Sequence, residues 1–356
     1  MTFMHPPRLL FFCELDTVAL QTLFDQPTLI PMLAQHGWGV ALGLGDWSDE
    51  RAAVVQQLSA ANVPVVGWLL LSAEEGYWFN LQNYPHALAA YIEFQTWVAL
   101  HDLQFTGVGL DIAPGLSERQ AIQRRGLREW VSRWWAARRN ALFPAAQSAY
   151  SDLVANMRHD GYVVYGYQLP LLVDDRRAGT NVLQRVFDIV DLPVDEEVIV
   201  CYSSHLPRLL FGGDLEGAFV RSYGVHADGI AVGVTGGGHD ANLLTGAPTT
   251  PLEWPALRRD LLLAAQWTPT IHVFSLEGCV ERGWLPLLAA LDWNAPVTIP
   301  ITQRLTITTW RGLLAAALWW SRFGVTLLGW LGWLAAAWLF LKPRAPLWLQ
   351  RWRRRG

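Results

Sequence analysis

The sequence predicts an α/β fold, a (β/α)₈ TIM barrel over about residues 1–300 followed by one C-terminal transmembrane helix. Two patterns predict it: eight short apolar runs that alternate with helical stretches, and one long uncharged run near the C-terminus. Near-continuous apolar strands separated by helices indicate a parallel sheet covered on both faces. A barrel is favoured over an open doubly wound sheet, because the runs number eight and no dinucleotide fingerprint follows the first.

The eight predicted strands are rich in β-branched and other apolar residues. They comprise residues 8–16, 37–46, 63–71, 105–114, 162–170, 196–204, 229–238 and 271–278. Between the fourth and fifth strands, residues 117–158 predict an insertion of two helices, which Pro144 should separate because proline breaks a helix interior.

The uncharged run covers residues 323–341 and predicts the transmembrane helix. At about 1.5 Å per residue it spans about 28 Å, close to the ~30 Å hydrocarbon core of a bilayer. Tryptophans at positions 319, 320 and 348 fall where interfacial aromatic residues are expected. We expect residues 301–322 to form a linker and interfacial segment, and residues 342–356 a basic tail.

Charge is divided along the chain. Residues 1–292 carry 18 basic and 31 acidic side chains, and the remainder carries nine basic and no acidic ones, which together give the net charge of −4. So acidic a barrel argues against a nucleic-acid partner, whereas the basic tail suits anionic lipid headgroups. The sequence therefore predicts a cell-membrane protein with a single-pass C-terminal anchor and the lipid bilayer as a partner.

The side of the membrane that carries the barrel stays open. The positive-inside rule places the basic tail in the cytoplasm and the barrel outside. The N-terminal residues, however, show no basic region followed by a long apolar core, so no signal peptide is visible.

Residue usage excludes several chemistries. The one lysine, Lys342, lies beyond the barrel, which excludes a Schiff-base lysine and a phosphate-loop lysine there. The three cysteines, Cys13, Cys201 and Cys279, are odd in number and scattered, so buried packing is expected rather than disulfides. No cofactor or metal is expected, because no ligand spacing supports one.

The candidate site follows from the fold, since active sites of (β/α)₈ barrels lie at the C-terminal ends of the strands. Asp111 and Glu277 are the predicted catalytic residues, because each closes an apolar strand, where an unpaired charge is costly. Aromatic rings and further polar groups gather at the same ends, which is typical of a sugar-binding site. The predicted substrate-binding residues are Glu14, Asp46, Glu75, Tyr77, Trp78, Tyr167, Gln168, Tyr202 and His239.

Some of these acids also fit ordinary structural roles. Asp46, like Asp16, precedes a helical stretch and fits a helix N-cap. Glu75 or its neighbour Glu74 fits a solvated loop charge. The glycine-rich residues 233–242 fit either a phosphate-binding loop or a turn that needs positive φ angles.

The strand-four sequence GVGLDIAP, residues 107–114, resembles the signature of family 18 glycoside hydrolases, in which alternating aspartates lead to a catalytic glutamate. In that alignment Asp111 matches the last aspartate, Gly109 replaces another, and Ala113 stands where the glutamate belongs. The resemblance implies a carbohydrate-directed barrel, in which another acid such as Glu277 acts or catalysis is lost. Strands four and eight face each other across a barrel, so a catalytic pair of Asp111 and Glu277 predicts inversion at the sugar.

Three functions remain open, and whether the protein is an enzyme is open with them. The favoured one is a membrane-anchored glycoside hydrolase-like protein acting on a carbohydrate or glycoconjugate at the mouth of the barrel. The second is a catalytically degenerate barrel that binds carbohydrate or a protein at the membrane. The third is an enzyme with a phosphate ligand.

Overall fold

The protein is described from a computed structural model, over residues 6–115, 127–137, 140–204, 215–237 and 251–341. Eight parallel strands pair in chain order, and the eighth pairs with the first, which closes a barrel. The predicted fold class is therefore confirmed. The strands are β1 (Arg8–Cys13), β2 (Gly39–Leu44), β3 (Val65–Leu69), β4 (Gly107–Ile112), β5 (Val163–Gln168), β6 (Glu196–Val200), β7 (Gly229–Gly233) and β8 (Thr270–Phe274).

Each strand coincides with a predicted run, although the runs extend past the strand ends. At their C-terminal ends the runs continue into residues that leave the sheet at the mouth, so most candidate acids lie just beyond the strands rather than inside them. Asp111 is the exception, because it is the fifth residue of β4.

Helices cover the outside of the barrel. In chain order they are α1 (Thr17–Phe24), α2 (Leu29–Gln35), α3 (Asp49–Ala60), α4 (Tyr84–His101), α5 (Leu127–Ala137), α6 (Leu142–His159), α7 (Leu171–Ala178), α8 (Val182–Val186), α9 (Glu216–Gly224), α10 (Trp254–Ala264), α11 (Leu276–Glu281), α12 (Leu285–Ala289) and α13 (Ile301–Leu341). A short 3₁₀ turn, Ala73–Glu75, follows β3.

The segment between β4 and β5 differs from the prediction in two respects. It contains two helices, and the break between them precedes Pro144, which lies in the first turn of α6 where its missing N–H costs nothing. Helix α6 packs against α4 and β5. It is therefore the ordinary outer helix of the fourth unit, and only α5 is additional within the described part of this segment.

Aromatic side chains fill the interior of the barrel. Phe12, Trp68, Tyr167 and Phe274 are buried and pack against one another with ring centroids 4.7–6.4 Å apart, mostly edge to face. Gly109 makes room for this packing, because a Cβ atom there would lie 2.6 Å from Cε2 of Tyr167. The interior is a packed core below the mouth, as in other small barrels.

Helix α13 is continuous over 41 residues and is about 61 Å long. Residues 301–322, expected to form a linker and interfacial segment, belong to this helix and pack on α7 and α9 of the barrel wall. Over the described residues, α13 is long and apolar enough to cross a membrane, with a mean hydropathy of 1.7 in its most apolar stretch and 6% of that stretch buried. So little burial is unlike the core helix of a soluble protein.

Candidate functional site

Glu277 is placed by the turn that follows β8. The strand ends at Phe274, and Ser275 caps α11 by accepting a hydrogen bond from the Gly278 amide at 3.4 Å. Glu277 therefore lies in the first turn of α11, at the C-terminal end of the barrel. Only 8% of its surface is exposed, and that part faces an open groove of about 1120 Å³ between α1 and α11.

The surroundings of Glu277 favour a protonated carboxyl. Burial raises its pKa to about 7, and this outweighs hydrogen bonds from the backbone, Ser275 and the Cys13 thiol that act in the other direction. Its Oε1 atom accepts from the Glu14 amide at 3.4 Å, whereas Oε2 has no hydrogen-bond partner among the described residues. A carboxyl that is half protonated at neutral pH and has one oxygen available is equipped to act as a general acid.

Gly237 packs directly on this carboxyl side chain. Its φ is +72°, and a Cβ atom there would lie 2.4 Å from Cγ of Glu277. Gly236 also has a positive φ, so the described part of the glycine-rich segment has the backbone of a turn. His239 and the rest of the predicted phosphate loop lie outside the described residues.

Glu14 and Tyr77 meet beside Glu277. Glu14 ends the β1 segment and is 4% exposed, and the hydroxyl of Tyr77 donates a hydrogen bond to its carboxylate. Tyr77 comes from the loop after β3, and its ring packs edge to face against Trp78 at 5.2 Å. Glu14 therefore contacts Glu277 directly, and Tyr77 and Trp78 are connected to it through Glu14.

Asp111 occupies a different part of the mouth. It is half-buried at the end of β4 and pairs in register with Tyr167 of β5. Burial raises the pKa of the Tyr167 hydroxyl well above its usual range, and the nearby Asp111 charge adds to the effect. The catalytic pairing of Asp111 with Glu277 stays a prediction.

Asp46 is engaged in the wall of the barrel. Its Oδ2 atom accepts from Arg51 at 2.7 and 3.2 Å, and its Oδ1 atom accepts from the Ser48 amide at 3.1 Å. Although burial alone would raise it, these hydrogen bonds from Arg51 and Ser48 hold the pKa of Asp46 well below its usual range. Arg51 is buried, so this arrangement favours the structural role for Asp46.

Glu75 also has a local structural partner. It forms a capping box with Ser72 in the 3₁₀ turn and an ion pair with His86 at 2.8 Å, on the exposed surface. Hydrogen bonding from Ser72 lowers its pKa. A solvated loop charge describes this residue well.

The remaining predicted binding residues lie in the barrel wall. Tyr167 belongs to the aromatic interior. Gln168 follows it in β5, so its side chain points to the opposite face, where it accepts from Arg176 at 3.2 Å. Tyr202 is buried against Phe274, with ring centroids 5.7 Å apart.

The groove beside Glu277 has a wall that the sequence pattern does not reveal. Helix α1 contributes Thr17, Val18 and Leu23 to it, and α11 contributes Val280. In the sequence these residues have the pattern of an ordinary outer helix. They become part of the groove only because the barrel brings α1 and α11 together across the β1–β8 seam. Val18 could have indicated this groove, because it is an apolar side chain that is exposed on the outer surface of its helix.

Comparisons with known proteins leave the family open. No protein-family model matches the sequence, and no curated protein matches it. Among solved structures, an AP endonuclease of family 2 from Brucella melitensis is 14% identical with a TM-score of 0.41, over 80% of this chain and 100% of that one.

Two further structures are similar at the same low level. A multi-modular chitinase from a Paenibacillus species is 10% identical with a TM-score of 0.40, over 79% of this chain and 32% of that one. A hydroxymethylglutaryl-CoA lyase from Pseudomonas aeruginosa is 12% identical with a TM-score of 0.32, over 82% and 95%. The fold assignment rests on the strand pairing, and the function must be argued from the site.

Proposed function

We propose that this protein is a membrane-anchored glycoside hydrolase-like enzyme that acts on a carbohydrate or glycoconjugate at the C-terminal mouth of its barrel. The observation that carries the proposal is the state of Glu277. It is a buried carboxyl with a pKa of about 7 and an oxygen without a hydrogen-bond partner among the described residues, and it borders an open groove.

Glycosidic bonds are cleaved by two carboxyl groups with different protonation states. Glu277 supplies the acid, which protonates the leaving oxygen of the sugar. Asp111, on the strand that faces β8 across the barrel, is assigned as the general base that activates water. In this arrangement the configuration at the anomeric carbon is inverted.

Glu14 and Tyr77 support the acid in this proposal. The Glu14 amide orients one oxygen of Glu277, and the Tyr77 hydroxyl fixes the Glu14 side chain by donating a hydrogen bond to it. Tyr77 and Trp78 are buried, so their stacking on a pyranose ring stays a prediction.

The membrane part of the proposal rests on α13. A helix whose last 17 residues, 325–341, are uncharged and largely exposed has its natural solvent in the hydrocarbon of a bilayer. The anchor is the C-terminal half of this helix, followed by the basic tail.

The test uses the full chain in lipid nanodiscs with a panel of chromogenic glycosides and oligosaccharides. We expect turnover by the wild type, and loss of at least about 100-fold in Glu277→Gln, because general acids typically contribute 10²–10⁴-fold. Glu50→Gln is the control, since it makes the same Glu-to-Gln change at an exposed residue of α3 that does not line the groove. Turnover that survives in Glu277→Gln contradicts the role of this acid, and Asp111→Asn tests the second carboxylate in the same way.

A second function is favoured by one specific residue. Ala113 stands where the resemblance to family 18 places the catalytic glutamate, and it is buried. A barrel that has lost this acid would bind carbohydrate without cleaving it. Binding of an oligosaccharide by the wild type, with no turnover of any member of the panel, would establish this carbohydrate-binding function instead.

A further inference from the structure

The contacts of α13 show how the membrane helix is joined to the barrel. Arg311 is the central contact: its guanidinium donates to Oδ1 of Asp174 at 2.8 and 2.7 Å and to the Ser222 hydroxyl at 3.0 Å. It also lies over the Tyr223 ring, 4.2 Å from the centroid. The side chains of Arg311 and Asp174 are only 11% and 5% exposed, so they form a buried ion pair that holds α13 on the barrel wall.

A second contact lies eleven residues further along α13. Arg322 donates to the Ala178 carbonyl at 3.0 Å, at the end of α7, and its guanidinium fills the space beside Gly179. Between the two arginines, Leu318 is fully buried against the wall. The helix therefore remains docked until about residue 324 and is exposed beyond it.

The end of α7 marks the N-terminal face of the barrel. Helix α7 starts three residues after β5 ends, and a helix that follows a barrel strand runs antiparallel to it. Arg177, in its last turn, lies 3.4 Å from His226, which is in the loop that leads into β7. Since α13 passes Asp174 before it reaches Gly179, it runs in the same direction as α7 and leaves the barrel at this face.

We propose that the bilayer lies against the N-terminal face of the barrel, so that the mouth with Glu277 points away from the membrane. The inference rests on the membrane anchor in the proposed function. Because α13 has no break between its docked half and its exposed half, the direction of the span fixes the direction of the barrel.

Surface charge does not provide this orientation. Acidic and basic side chains are mixed on the N-terminal face, where Asp195 pairs with Arg158 and Glu197 with Arg176. The orientation depends on the docking of α13, and above all on Arg311.

The arrangement also limits the substrate class. Strands of five or six residues place the mouth roughly 12–16 Å above the N-terminal face once their tilt is allowed for. A lipid headgroup of the same leaflet cannot reach the groove. The substrate is therefore a soluble glycan, or a glycan that extends well away from the bilayer surface.

The test uses single introduced cysteines in the full chain in nanodiscs, because Cys13, Cys201 and Cys279 are buried and react poorly. Val225→Cys places a fluorophore at the N-terminal face, and Glu74→Cys places one at the mouth. Both positions are exposed. We expect lipids that carry a spin-label quencher to quench the Val225 label several-fold more than the Glu74 label.

Equal quenching of the two labels, or stronger quenching at position 74, would overturn the orientation. Quenching at neither position, together with failure of the protein to float with lipid vesicles, would overturn the anchor itself. In Arg311→Gln the two labels should be quenched equally, while the protein still floats with lipid vesicles. Arg304→Gln is the control on the same helix, because Arg304 is exposed, and it should leave the difference unchanged.

Discussion

The amide of Glu14 lies 3.4 Å from Oε1 of Glu277, which joins the end of β1 to the first helical turn after β8. The two residues are 263 positions apart in the chain and are adjacent because the barrel closes between its first and last strands. Burial at this seam raises the pKa of the Glu277 carboxyl to about 7. Several properties of the protein should therefore depend on pH near neutrality.

The first concerns stability. The pKa of Glu277 is raised from about 4.5 in the unfolded chain to about 7 in the folded protein, so the unfolded state ionises first as pH rises. Stability is fully present below pH 4.5 and falls until about pH 7, by about 3 kcal/mol in total at 1.36 kcal/mol per unit. Glu277→Gln should remove most of this loss. Urea unfolding in detergent at pH 4.5 and pH 8 should show the variant gaining on the wild type only at the higher pH.

The second concerns the reaction rate. If Glu277 donates the proton, kcat/KM for a glycoside should fall tenfold per pH unit above about pH 7, because only the protonated acid is active. The pH profile of the wild-type chain in nanodiscs measures this limb. A rate that stays flat to pH 9 would mean that Glu277 is not the acid.

Gly237 packs closely on Glu277, so a side chain at position 237 should disturb this acid. Gly237→Ala combines an unfavourable positive φ with a Cβ atom 2.4 Å from Cγ of Glu277, so the acid must move. We expect a loss of about 2–3 kcal/mol of stability together with a loss of turnover. Gly283→Ala is the matched control, since its φ is +64° and nothing lies near its Cβ position. The control should cost only about 1 kcal/mol and leave turnover unchanged, as thermal unfolding and assays would show.

The ion pair of Arg311 with Asp174 holds α13 to the barrel wall, and substitution of the arginine tests how much it contributes to stability. Arg311→Ala leaves the buried Asp174 carboxylate without its charged partner, which typically costs about 3–5 kcal/mol. Arg322→Ala removes a more exposed contact to a backbone carbonyl, so it should cost about 1 kcal/mol or less. Chemical denaturation of the two variants in nanodiscs compares them. Equal effects would mean that the Arg311 ion pair does not hold the helix to the barrel.

The fold and parts of the site differ in how far the sequence predicts them. Eight apolar runs and one uncharged run are local patterns, and they locate every strand and the C-terminal helix. The docking of residues 301–322 is not local, because Arg311 finds its partner Asp174 on a helix 137 positions earlier. Because this contact is not visible in the sequence, the arginines before residue 323 indicate only where the membrane segment begins.

The candidate acids follow the same rule. Glu277 is identifiable as a carboxyl that closes an apolar strand, but its raised pKa depends on burial at the β1–β8 seam. Asp46 is the opposite case: its partners Ser48 and Arg51 lie two and five residues away, so the structural alternative was visible in the sequence. A structural role is therefore easier to predict from the sequence when the hydrogen-bond partners lie within a few residues of the acid.

A substitution at Asp46 distinguishes a structural role from a substrate-binding one. In Asp46→Asn the buried Arg51 guanidinium keeps its contacts to the carbonyls of Gly43 and Leu15 but loses its counter-charge. Because the Asp46 carboxylate is partly exposed and screened, we expect a loss of about 1–2 kcal/mol of stability. The turnover or sugar affinity per folded molecule should be unchanged, as measured at a temperature well below the melting point. A variant that folds with normal stability but loses sugar affinity would show instead that Asp46 contacts the substrate.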